Sequence, residues 1–194
     1  MNVNVINLDR RVDRWAVVRE QLFDFGFTVT RFPAIESKPG WKGCRDSHLE
    51  LLEKHKDQKY NVIFEDDIEF LWVKPLPMIM KAMDELPPKW DALFLGASPQ
   101  EPFKKYSPRL FKMGKAWCTH AIIWHNRKGG AVEYILDHKD EIGKFDVFLS
   151  EEIYPKFECY IASPMIVTQF QSQSDCCTRS DLSTLITNFN TYCK

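Results

Sequence analysis

Asn61-Val62-Ile63-Phe64-Glu65-Asp66-Asp67-Ile68 is the stretch on which the fold turns. Three residues of apolar, β-branched and aromatic character, Val62, Ile63 and Phe64, end abruptly in three carboxylates. A run that short and that apolar predicts a buried strand over Asn61–Phe64. Adjacent carboxylates repel, and burying them without a countercharge is costly. A hard divalent cation, Mg²⁺ or Mn²⁺, resolves the conflict because it prefers oxygen ligands. In an extended segment Glu65 and Asp67 point one way and Asp66 the other. Glu65 and Asp67 are therefore the candidate metal ligands, and Asp66 is left for another contact. The plainer alternative is an acidic turn that caps the next element.

Outward from this stretch, strands and helices alternate. Val3–Leu8 predicts a strand. Asp9–Phe25 predicts a helix, with Trp15, Val18, Leu22 and Phe25 at spacings of three and four and Gly26 as its stop. A strand over Phe27–Phe32 and a loop over Pro33–Gly43 follow, then a helix over about Cys44–Lys56. Pro75–Leu86 predicts a helix opened by proline. Asp91–Leu95 reads as a strand, 97–112 as a long polar loop, Ala116–Trp124 as a strand and Lys128–His138 as a helix. Residues 145–153 are ambiguous, and Phe157–Ile161 and Met165–Phe170 read as strands. The tail from Gln171 is polar. The expectation is one α/β domain over 1–194 with a mostly parallel sheet. Ligands of such sheets sit beyond the carboxyl ends of the strands. The residues after Leu8, Phe64 and Leu95 are then the places for a site.

Composition narrows the classes. The chain has 194 residues, 44% hydrophobic, with 26 basic and 27 acidic side chains and a net charge of −1. That excludes a disordered chain and lacks the basic excess of a nucleic-acid binder. No apolar run reaches the roughly 18 residues needed to span a bilayer. The N-terminus has no secretory pattern, so the expected location is cytoplasmic. The six cysteines form no C-x-x-C pair, which argues against a zinc site. All six are expected to be free thiols.

Two further segments carry candidate chemistry. Asn7-Leu8-Asp9-Arg10-Arg11-Val12-Asp13-Arg14 lies at the first strand-to-helix turn, where helix N–H groups and three arginines favour an anion. A charged first turn with local ion pairs is the plainer alternative. Gly43-Cys44-Arg45-Asp46-Ser47-His48 puts a serine beside a histidine. Adjacent helical residues do not face each other, so a nucleophilic pair is disfavoured and a structural or substrate-contacting role is expected. The chain has no G-x-G-x-x-G and no P-loop, which disfavours dinucleotide enzymes and P-loop NTPases.

In order, Val5-Ile6-Asn7-Leu8-Asp9-Arg10-Arg11-x-Asp13-Arg14, Gly43-Cys44-x-x-Ser47-His48 and Phe64-Glu65-Asp66-Asp67 resemble glycosyltransferase family 25. Leu93-Phe94-Leu95-Gly96, Thr119-His120-Ala121, Phe145-Asp146-Val147-Phe148-Leu149 and Pro164 to Gln169 with Ser174-Asp175 extend the resemblance to most of the chain. It implies a GT-A-type, Rossmann-like α/β/α sandwich, a UDP-sugar donor, Mn²⁺ and inversion at the sugar carbon. The activity implied is transfer of galactose or glucose to a glycan or a hydroxylated protein. On that basis Glu65 and Asp67 hold the metal. Asn7, Arg11 and Arg14 hold the nucleotide, Asp66 faces ribose or a basic neighbour, and Leu8, Ser47 and His48 complete the expected donor contacts. An inverting displacement needs a base for the acceptor hydroxyl, with Asp146, Glu151 and Glu152 as candidates. The competing reading is a catalytically silent nucleotide-sugar-fold module that binds a glycan or protein partner. A nucleotidyltransferase with the same acidic strand end is a third.

Overall fold

The computed structural model describes residues 1–117 and 119–170. In chain order the elements are β1 (Asn2–Asn7), α1 (Val12–Asp24), β2 (Thr28–Pro33), α2 (Gly40–Lys54), β3 (Tyr60–Glu65), β4 (Ile68–Phe70), α3 (Pro75–Asp84) and β5 (Ala92–Phe94). Then come β6 (Ser98–Pro99), β7 (Lys104–Ser107), β8 (Leu110–Lys112), β9 (Ala116–Trp117), β10 (Ala121–His125), α4 (Ala131–Asp137), α5 (Phe145–Phe148), β11 (Cys159–Ala162) and β12 (Val167–Gln169). A π-helical turn over Leu149–Ile153 continues α5.

The central sheet has the order β2-β1-β3-β10-β5-β11-β8-β7. Only β10 and β8 run against the other strands, so the sheet is mostly parallel. Alternate residues of its strands enter two separate cores. Ile6, Ile63, Phe94 and Trp124 pack under α2 and α4. Val5, Val62, Phe64 and Leu93 pack under α1 and α3. This is the mixed α/β layering that the alternation of elements predicts, with helices on both faces.

Local chemistry sets the boundaries. α1 starts at Val12 rather than Asp9, because Arg11 N–H bonds back to Leu8 O and closes a tight turn first. It ends at Gly26, whose φ of 80° suits a residue without a Cβ. α2 starts four residues earlier than its pattern suggests. Gly43 is inside the helix because its face touches the loop after β2: a Cβ there would stand 2.1 Å from Ile35 O. The expected polar loop over 97–112 contains the β7–β8 hairpin, added at the sheet edge. The expected strand Ala116–Trp124 is two strands, β9 and β10, in different sheets. β4 pairs with β12 in a separate small ladder that lies against the acidic stretch. The tail from Gln171, with Ser174 and Asp175, lies outside the described residues, as does Cys118.

Candidate functional site

β1, β2 and β3 are parallel neighbours, so their carboxyl ends open on one side. A cleft lies there. Leu8 follows β1, Ile35 follows β2, and Glu65, Asp66 and Asp67 end β3; all line it, together with Arg10 and Arg14. The location agrees with the strand-end rule.

Simple strand alternation does not govern the three carboxylates. β3 ends at Glu65 and the next two residues form a turn, so Asp66 faces the same cleft as its neighbours. The expectation that it points away is corrected by that turn. Arg14, only 6% exposed, is the internal countercharge. Its Nη1 lies 2.9 Å from Asp66 Oδ1 and 3.5 Å from Asp67 Oδ2. Asn7 Nδ2 donates to Asp66 Oδ2 at 2.7 Å, and Arg31 fixes Asn7 by donating to its Oδ1. Gln169 Nε2 donates to Asp67 Oδ1 at 3.1 Å, delivered by the β4–β12 ladder. Glu65 Oε1 accepts from Thr119 Oγ1 at 2.6 Å and meets His48 Nε2 at 3.2 Å.

These surroundings set three different acidities. Burial raises Asp66 above its usual range, against the pull of Asn7 and Arg14. Burial, then the charge of Glu65, push Asp67 up to about 7, and Arg14 and Gln169 offset only part of that. Burial pushes Glu65 upward too, but its bonds to His48 and Thr119 outweigh it and hold the carboxyl below its ordinary value. Glu65 is thus a carboxylate, while Asp67 keeps its proton up to about pH 7, because its neighbours leave the ionised form under-compensated. Both offer hard oxygen to the cleft, so the pair fits a divalent cation such as Mg²⁺ or Mn²⁺.

A second donor set adjoins this pair. Cys44 and His48 stand one turn apart on α2. With Glu65 they present ligand atoms that all lie within 4.8 Å of one another, a possible metal-binding triad. Cys44 and Glu65 line the cleft, and His48 is fully buried with its ring stacked on Phe145 at 5.0 Å. The spacing of Cys44 and His48 was visible in the sequence, but their meeting with Glu65 depends on α2 packing across β3.

The remaining expected site residues are dispersed. Ser47 is buried and works on the backbone: its Oγ donates to Gly43 O and accepts from Ile35 N–H. Arg11 pairs with Asp13 through two hydrogen bonds and is not among the residues that line the cleft, whereas Arg10 is. Asp146 is half-buried in the single turn of α5, and its Oδ1 accepts from Val147 N–H. It is brought toward α2 by the stacking of its neighbour Phe145 on His48. Glu151 is exposed, and Glu152 is ion-paired with Lys156 at 2.5 Å. Arg10, one of the three arginines of the first turn, and Cys44, from the Gly43–His48 stretch, line the cleft, as does Lys38. Lys38 had no sequence pattern to mark it. No helix among the described residues is long and apolar enough to cross a membrane.

No protein-family model and no curated protein sequence matches the chain. Solved structures do. A glycosyltransferase involved in the glycosylation of the major capsid of PBCV-1 superposes with a TM-score of 0.56 at 10% identity, over 90% of this chain and 94% of that one. The chain has a glycosyltransferase-like fold. A nucleoside-diphosphate-sugar pyrophosphorylase from Vibrio cholerae RC9 aligns with a TM-score of 0.39 at 13% identity, over 87% of this chain and 76% of that one.

Proposed function

We propose that the protein is an inverting glycosyltransferase of the family 25 type. It transfers galactose or glucose from a UDP-sugar to a hydroxyl of a glycan or hydroxylated protein, with Mn²⁺ at Glu65 and Asp67. One observation carries the reading. Three carboxylates at the end of β3 share a strand-end cleft with Arg10 and Arg14 in a glycosyltransferase-like fold. Arg10, which lines the cleft and is ion-paired with Glu36 at 3.0 Å, turns its guanidinium to the donor diphosphate. Asn7 and Arg14 hold Asp66 in place, and Gln169 orients Asp67. The cation, when bound, supplies charge stabilisation for the departing diphosphate. Asp146 takes the proton of the acceptor hydroxyl; of the three candidate bases it is the one whose helix packs on His48, while Glu152 is engaged by Lys156.

The test is UDP release from UDP-galactose and UDP-glucose with and without Mn²⁺. Mn²⁺ and UDP together raise the melting temperature more than either alone, and Asp67→Ala loses that synergy. Asp146→Asn lowers turnover by roughly 10² to 10⁴ with Mn²⁺–UDP binding intact. The reading fails if no UDP-sugar yields UDP and Mn²⁺ with UDP leaves the melting temperature unmoved.

A second reading has one observation in its favour. Arg14 already neutralises part of the acidic stretch, as suits a module that binds a nucleotide sugar without turning it over. Donor binding with no UDP release from any UDP-sugar selects that reading.

A further inference from the structure

Glu65 belongs to two donor sets, and the second differs in chemistry from the carboxylate pair. We propose that Cys44, His48 and Glu65 form a three-ligand site for a thiolate-seeking divalent cation of the zinc class, open to the cleft on its fourth side. One sulfur, one imidazole nitrogen and one carboxylate oxygen suit Zn²⁺, which takes all three types, and not Mg²⁺ or Mn²⁺, which favour oxygen.

The geometry is close to what such an ion needs. Bond lengths near 2.0 to 2.3 Å in a tetrahedron put ligand atoms about 3.3 to 3.7 Å apart. His48 Nε2 and Glu65 Oε1 are 3.2 Å apart, and the full set spans no more than 4.8 Å.

The support is already rigid. Cys44 and His48 are both on α2, whose first turns are fixed in three ways. Gly43 is packed on Ile35 O, Ser47 ties the helix to Ile35 N–H, and Arg45 donates to Ile142 O at 2.7 Å. Phe145 covers the His48 ring, and Thr119 fixes Glu65.

His48 is wholly buried and turns its Nε2 toward Glu65, so that nitrogen would bind the ion in place of its contact with the carboxylate. Cys44 and Glu65 both line the cleft, so the fourth position faces incoming ligand.

Co²⁺ is the probe, added to the reduced 194-residue chain after chelator has been removed. The expected result is a near-ultraviolet thiolate-to-cobalt absorption band, saturating at about one equivalent and erased by Zn²⁺. Cys44→Ser abolishes the band, with far-ultraviolet circular dichroism unchanged. Glu65→Gln weakens Co²⁺ binding at least tenfold. Asp67→Asn leaves the band in place. The proposal is overturned if the parent shows no band, if the band survives in Cys44→Ser, or if Asp67→Asn removes it. None of these readouts needs sugar transfer, so failure of the glycosyltransferase reading leaves them interpretable.

Discussion

Asp67→Asn separates stability from function at one atom. In the metal-free chain Asp67 titrates near 7 against an ordinary value of 3.8, because burial and the Glu65 charge disfavour its ionised form. A raised folded value means that the native chain holds its proton while the unfolded chain releases it. Stability is then fully present below about 4 and lost as the pH rises through 7. At 1.36 kcal/mol for each tenfold, the interval from 3.8 to about 7 corresponds to about 4 kcal/mol given up by pH 8. Asparagine keeps the acceptor for Gln169 and removes the charge, at the expense of the 3.5 Å approach to Arg14. The expected gain is about 2 to 4 kcal/mol at pH 8, shrinking toward zero at pH 4. Asp66, also raised by burial, contributes a slope of the same sign in both chains, reduced in the variant because Asp66 and Asp67 repel each other. Urea unfolding of both chains from pH 4 to pH 8 in chelator measures it. With Mn²⁺ and UDP added, the order reverses, because only the parent gains from the ligand. Parallel stability curves for the two chains across that range would refute a charge held under strain at Asp67.

Two further outcomes follow from single contacts. Gly43→Ala forces a Cβ to 2.1 Å from Ile35 O, with backbone on both sides, so destabilisation of at least about 3 kcal/mol is expected; an unchanged thermal melt would mean that α2 does not sit against the loop after β2. Arg10→Ala, which removes a side chain that lines the cleft beside Glu36, weakens UDP binding by roughly tenfold or more, the scale of one charge-assisted hydrogen bond, while Arg11→Ala, outside the cleft lining, changes it less; equal losses in isothermal titration would contradict the division of roles.

What the sequence reveals and what it hides differ in kind. β1 and β3 are legible as short apolar runs and β2 as an alternation of β-branched and aromatic residues, each beside a helix with a clear stripe, and that is enough for the α/β class. The β7–β8 hairpin is not legible, because Lys104, Lys105 and Tyr106 form an exposed edge with no alternation to read, a common way of keeping an edge strand from pairing further. β4 is hidden by its three-residue length. Gly43 reads as a loop residue from composition alone, and its place inside α2 follows only from the backbone it touches. For the site, the acidic stretch and the basic first turn are visible by charge. Which arginine faces the cleft is not, since the tight turn closed on Leu8 O sets the phase of the first helical residues.

Arg14 shows why charge logic from sequence stops half-way. Like-charge repulsion along Glu65-Asp66-Asp67 demands a cation, and an ion is the natural candidate when only neighbours in sequence are known. The folded chain meets part of that demand with its own guanidinium, 52 residues away from Asp66 and nearly buried. A point charge of +1 cannot balance three carboxylates, and His48 and Thr119 serve only Glu65. The shortfall falls on Asp67, the member farther from Arg14 of the two it approaches, whose ionisation is held back to about pH 7. That is the position where a divalent ion recovers the most electrostatic energy, so the internal ion pair selects the carboxylate left for the metal and does not replace it.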